Sequence, residues 1–95
     1  MHRMYVLLRK DLDETYRCVQ AGHALAQYSL DYPDLFKKWN NTDLIYLGVR
    51  NLKELREWTL KIKSPFSLFR EPDLDGQETA LAYYGPGLFK GLDLA

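Results

Sequence analysis

A single cysteine, Cys18, stands in the 95-residue chain. No internal disulfide can form, and a zinc site of the multi-cysteine kind is excluded, so a reducing compartment, by default the cytoplasm, is expected. No apolar run approaches the ~20 residues that cross a bilayer. Met1-His2-Arg3-Met4 runs straight into a short apolar stretch with no cleavage signal, so neither a membrane role nor export is expected. Net charge is lacking as well: 13 Lys+Arg balance 13 Asp+Glu. That balance excludes a strongly basic nucleic-acid wrapper and leaves any such role to a local patch. There is no repeat, no low-complexity tract, no phosphate-binding glycine loop, no histidine pair at metal spacing, no nucleophile elbow and no catalytic cysteine signature. Neither a metal nor an organic cofactor is expected. What is present is 46% apolar residues in a chain of one-domain size, enough for one cooperative core over residues 1–95.

Tyr5-Val6-Leu7-Leu8-Arg9 is rich in strand formers and ends at charge, which predicts a buried first strand. Asp11 or Asp13 can cap a helix that then runs without proline to Tyr32. On it Cys18, Ala21, Gly22 and Leu25 form a small-residue stripe suited to close approach on a sheet, with Ser29 continuing it. Tyr16, Gln20, His23 and Gln27 form a polar stripe facing solvent or a site. Pro33 breaks this helix and opens a short second one through Trp39. After the turn Asn40-Asn41-Thr42-Asp43, the run from Leu44 to Val49 reads as a strand covered on both faces. Asn51 with Glu54 suggests a capping box, and Leu52, Leu55, Trp58, Thr59 and Ile62 mark the inward stripe of a third helix ended by Ser64-Pro65. Phe66-Ser67-Leu68-Phe69 and Thr79-Ala80-Leu81-Ala82-Tyr83-Tyr84 flank the acidic turn 71–76 as an antiparallel pair. The expected fold is α/β, a small mixed four-stranded sheet with helices packed on its faces and a breaker-rich tail at 85–95.

His23 is the one central histidine, either a hydrogen-bonded structural group or a proton-transfer group. Cys18, on the small-residue stripe, is expected in the core. Asp11 is either a cap or a ligand-binding carboxylate at the end of the first strand, and Arg9 either its ion-pair partner or a phosphate contact. Residues 50–63 hold Arg50, Lys53, Arg56, Lys61 and Lys63 against Glu54 and Glu57, a modest basic patch of the sort found on solvated helices. Glu71, Asp73 and Asp75 crowd one turn without the spacing of a calcium loop.

Leu8-Arg9-Lys10-Asp11-Leu12 followed by Gln20-Ala21-Gly22-His23-Ala24 resembles the opening of the type 2 peptidyl-tRNA hydrolase family, whose pattern there is R-x-D-L, a K-G-K loop, then A-A-Q-x-x-H-A. Glu71-Pro72-Asp73 to Thr79-Ala80-Leu81-Ala82, ending at Gly85-Pro86, resembles that family's final turn and strand, and the element order agrees. The resemblance implies hydrolysis of the ester between a peptide and the terminal ribose of tRNA, with no cofactor. It implies Asp11, His23, Thr79 and Asp73 as catalytic positions and Arg9, Lys10, Arg17 and Gln20 as substrate-binding ones. Peptidyl-tRNA is then the partner, and a homodimer is plausible. The K-G-K loop has no counterpart, because its lysine positions fall on Glu14 and Tyr16, with Lys10 and Arg17 the nearest cations. A silent relative binding tRNA or a protein is the alternative, and a third reading makes the apolar tail from Leu88 to Leu94 a docking segment.

Overall fold

The computed structural model describes residues 1–95. Its elements are β1 (His2–Arg9), α1 (Glu14–Asp31), α2 (Pro33–Trp39), β2 (Leu44–Val49), α3 (Leu52–Lys61), β3 (Phe66–Glu71), a single 3-10 turn (Pro72–Leu74) and β4 (Gln77–Pro86). The four strands form one sheet in the order β2-β1-β4-β3. β2 is parallel to β1, as its helical crossover requires, while β4 is antiparallel to both its neighbours. The expected mixed α/β sheet is what the chain builds.

Local chemistry sets the element ends. The Asp13 carboxylate accepts from Thr15 N–H at the start of α1, and Pro33 occupies the first turn of α2. At α3 the Asn51 side chain accepts from Glu54 N–H at 3.0 Å. Glu54 reaches past Asn51 to the Arg50 N–H at 2.7 Å, a capping box displaced by one residue. Strand pairing carries β1, β3 and β4 beyond the runs expected from composition; β1 and β4 stay in register out to His2 and Pro86.

Alternation divides the core in two. Met4, Val6, Leu8, Ala80 and Ala82 face α1 and α2, where Ala21, Ala24, Tyr28 and Trp39 meet them. Tyr5, Leu7, Leu47, Val49, Leu81 and Tyr83 face α3, where Leu55, Trp58 and Ile62 meet them together with Phe89 from the tail.

Two expectations need correction. Cys18 and Gly22 are exposed, and the buried face of α1 is Gln20, Ala21, Ala24 and Tyr28. A stripe of small residues holds little apolar area, so the large Tyr28 ring, fully buried, sets the rotation of the helix, and alanines supply the close approach. The tail is not a free docking segment. Phe89 packs against Tyr5, Trp58 and Tyr83, and the last residues lie on the outer edge of β2, with Gly48 N–H donating to Asp93 C=O at 2.9 Å and Ala95 N–H to Tyr46 C=O at 3.0 Å. No helix is long and apolar enough to cross a membrane.

Candidate functional site

The register of β3 against β4 steps from Phe69–Ala80 to Arg70–Glu78, which leaves Thr79 as the extra residue of a β-bulge. Strict alternation would turn Thr79 to the α3 face with Leu81 and Tyr83. The bulge instead sends Thr79 toward α1, where Ala80 also packs, while Glu78 meets Arg56 of α3. Thr79 Oγ1 donates to Gln20 Oε1 at 2.5 Å, and Gln20 Nε2 donates to Glu71 Oε1 at 2.9 Å. Gln20 and Thr79 are fully buried, and Glu71 is 8% exposed. Buried polar groups of this kind are costly unless every partner is met, which makes the chain of bonds a strong constraint on how α1 seats on the sheet.

The polar stripe of α1 therefore lies against β3. Tyr16, Gln20, His23 and Gln27 run along β3 in order. Tyr16 and Gln20 lie at Glu71, and the exposed His23 ring stacks on Phe69 at 4.3 Å and 6°. Gln27 donates to Asp31, whose carboxylate also accepts from Ser67 Oγ at 2.7 Å. The Gln20 amide, then the Asp73 N–H, hold the Glu71 carboxyl below the usual range, with Tyr16 and His23 acting in the same direction. Burial, followed by the negative charge of Glu71, pushes the Tyr16 phenol up.

Asp73, the carboxylate favoured from the sequence, stands outside this network. Its side chain is exposed and only its N–H enters, donating to Glu71 Oε2 at 3.2 Å. Glu71 is the carboxylate that enters the network because β3 runs two residues past Phe69, so Glu71 shares the α1 face of Ser67 and Phe69. A link between positions 51 residues apart leaves no local trace in the chain.

Arg9 and Asp11 form a separate group. By alternation with Tyr5 and Leu7, Arg9 leaves β1 on the α3 face, 6% exposed, and grips Asp11 with two bonds of 3.0 and 2.8 Å. Its remaining nitrogen donates to Gln77 Oε1 and Glu78 C=O. The Arg9 guanidinium holds the Asp11 carboxyl below its ordinary value. Of the readings left open for these residues, the ion pair is the one formed. Lys10 lays its stem over Gly48 of β2, and Arg17 Nε donates to Leu12 C=O at 3.0 Å.

No continuous cationic face joins these groups to α3. Arg50 is paired with Glu54 and Arg56 with Glu78, and α3 lies across the sheet from Arg17 and His23. No three of His, Cys, Asp and Glu converge as metal ligands. The site is thus a polar seam between α1 and β3, closed at Thr79 and open at His23. Neither a protein-family model nor a curated protein sequence matches the chain.

Proposed function

We propose that the chain hydrolyses the ester joining a peptide to the terminal ribose of tRNA. The observation that carries this reading is the bonded chain Thr79–Gln20–Glu71 with His23 beside it, four residues from two blocks distant in sequence. They are two of the three blocks in which the sequence resembles type 2 peptidyl-tRNA hydrolases; the third, Arg9 to Asp11, lies apart from them as an ion pair.

An activated ester needs a water in line, a group to take its proton and donors for the developing oxyanion. Thr79 and Gln20 are sealed from solvent. They are positioning residues that lock α1 to the Glu71 turn. His23 is exposed and oriented by its stack on Phe69. One imidazole nitrogen accepts a proton and can return it, so His23 takes the proton of the attacking water and returns it to the ribose oxygen as the acyl C–O bond breaks. Asp11 and Arg9 fix the end of β1 as an ion pair.

Incubation of the folded protein with purified peptidyl-tRNA tests the proposal. Release of peptide is expected, with His23→Ala lowering it at least about a hundredfold, in the range of a lost general base; no release above buffer would sink it. Binding without turnover is the second reading, favoured by one observation: the positions of the family's loop lysines are held by Glu14 and Tyr16. Salt-dependent tRNA binding with no hydrolysis would select it.

A further inference from the structure

We propose that the outer edge of β3 seats the peptide arm of the substrate, which lies along it as an added strand held by main-chain hydrogen bonds. The inference rests on the ester being processed at the Glu71 and His23 end of the seam.

The strand order leaves two edges, β2 and β3. The chain covers the first itself, by main-chain bonds from Asp93 and Ala95 to β2. The second is open. β3 is paired with β4 alone, and the sole further backbone bond made by residues 66–71 is that from Gly76 N–H to Glu71 C=O inside the turn. The outward N–H and C=O groups of β3 therefore have no backbone partner, which is the arrangement that accepts another strand.

A cavity of about 440 Å³ follows this edge. Its walls are the five consecutive residues Phe66 to Arg70, with Gln27 and Asp31 of α1. Consecutive strand residues point to opposite faces, so a cavity touching all five runs along the edge and not over one face. At ~3.3 Å per residue, five residues span roughly 17 Å, room for about five residues of extended peptide. The groove is continuous with the site, because Phe69 carries the His23 stack and Glu71 ends the strand.

The chemistry of the occupant fits. Peptides carried on tRNA differ in every side chain and share only their backbone, and a strand edge binds backbone. The esterified carboxyl end must lie at the Glu71 end, which is also the carboxyl end of β3, so the peptide runs parallel to β3. Its residues before the ester extend back toward Phe66.

The experiment has two arms. In the first, nitrogen-15-labelled protein is titrated with an acetylated tetra-alanine methylamide and with the same peptide N-methylated at alternate residues. Shift changes and slowed amide exchange confined to β3 and the facing side of α1, lost on N-methylation in one of the two alternate registers, are expected. No change at β3, or changes insensitive to methylation in both registers, overturns the proposal. In the second arm, tetra-alanyl-tRNA carrying the same methyl groups is hydrolysed. KM raised about tenfold with kcat little altered is expected; equal KM for methylated and plain substrate overturns the edge proposal and leaves the hydrolase reading standing. Shifts at β3 without hydrolysis of any substrate overturn the hydrolase reading and keep the peptide edge. A dimer in sedimentation with β3 amides protected before peptide is added gives the edge to a second copy and overturns the proposal.

Discussion

Replacing Thr79 with valine isolates one hydroxyl. Valine matches the threonine side chain in shape, so the buried site keeps its packing and loses a donor. Gln20 Oε1, itself buried and accepting from Thr79 at 2.5 Å, is then left without that hydrogen bond. An orphaned buried acceptor costs about 1–3 kcal/mol. For a domain of this size, 1 kcal/mol moves the melting midpoint by ~4–8 °C, so a loss of about 2 kcal/mol lowers it by roughly 10 °C. Thr79→Ser keeps the hydroxyl and drops one methyl, at a cost of about 0.8 kcal/mol. Valine should therefore be worse than serine, the reverse of the order set by apolar burial alone. Thermal and urea unfolding followed by far-UV circular dichroism measures both. Combining Thr79→Val with Gln20→Met removes the two bonded groups together, and the double variant should lose about 1 kcal/mol less than the sum of the singles. Additivity within ~0.5 kcal/mol, or a valine variant as stable as the parent, would refute the hydrogen-bonded seam.

Other outcomes follow from the same structure. Tyr28 is fully buried and its hydroxyl has no partner in bonding geometry, so Tyr28→Phe should leave urea stability unchanged or raise it by up to about 1 kcal/mol, and a loss larger than that would show a bond there. Asp11, Glu54, Glu71 and Glu78 are held below their ordinary values of 3.8 and 4.5 by Arg9, the Arg50 N–H, Gln20 and Arg56. Their contribution to stability is complete above those ordinary values and is lost as pH falls through the lower folded ones. Burial raises Tyr16, Tyr28, Tyr46 and Tyr83 above 10.0, so their contribution is lost as pH rises beyond 10.0. A urea midpoint that already declines near neutrality on either side would contradict this window. Gly85→Ala would drive a methyl into the Tyr83 hydroxyl, which is buried and bonded to Pro86 C=O at 3.0 Å; a loss of about 1–3 kcal/mol is expected, and a change under 0.5 kcal/mol would show that the ring yields. On the proposed reading Lys10 and Arg17 supply the phosphate contacts, so the log–log salt slope of tRNA binding should be no steeper than about −2, and a slope near −6 would bring in the cations of α3.

What the chain revealed in advance was what neighbours in sequence decide. Asp13 and Asn51 as caps, Pro33 as a breaker, the continuous apolar runs of β1 and β2, and the turn between β3 and β4 each act within four or five residues, and each is where the sequence placed it. The rotation of α1 was not legible, because Cys18, Ala21, Gly22 and Leu25 make as regular a stripe as Gln20, Ala21, Ala24 and Tyr28. Choosing between them takes the sheet beneath and the partners waiting for Gln20. The polar stripe Tyr16, Gln20, His23 and Gln27 was visible, but its destination was not. Thr79 was picked out by resemblance alone, since a strand read by alternation turns it away from Gln20 and only the bulge turns it back. Glu71 was overshadowed by Asp73 for a related reason: a strand taken to stop at Phe69 puts both carboxylates in a loop, and two more residues of pairing give Glu71 a defined face.

Charge shows how far a zero balance constrains function. Arg9, Arg50 and Arg56 are each neutralised by a carboxylate, and α3 stands on the far side of the sheet from His23. The basic stretch 50–63 therefore does not extend the seam, and a tRNA bound there would not bring its ester to His23. The cations on the α1 side are arranged differently. Lys10 lies over Gly48, and Arg17 shares a small cavity with Leu8, Cys18 and Tyr46, so both sit at β1 and β2. The open edge is β3, at the other side of the sheet, with Thr79 of β4 between them. Crossing the sheet from Lys10 to Phe69 thus passes from cations, past the buried hydrogen-bonded chain, to unpaired backbone. A molecule with phosphate at one end and extended peptide at the other has the matching polarity, and its ester would lie between the two, beside His23. On this reading a modest number of phosphate contacts suffices, because orientation comes from the peptide edge as well as from charge.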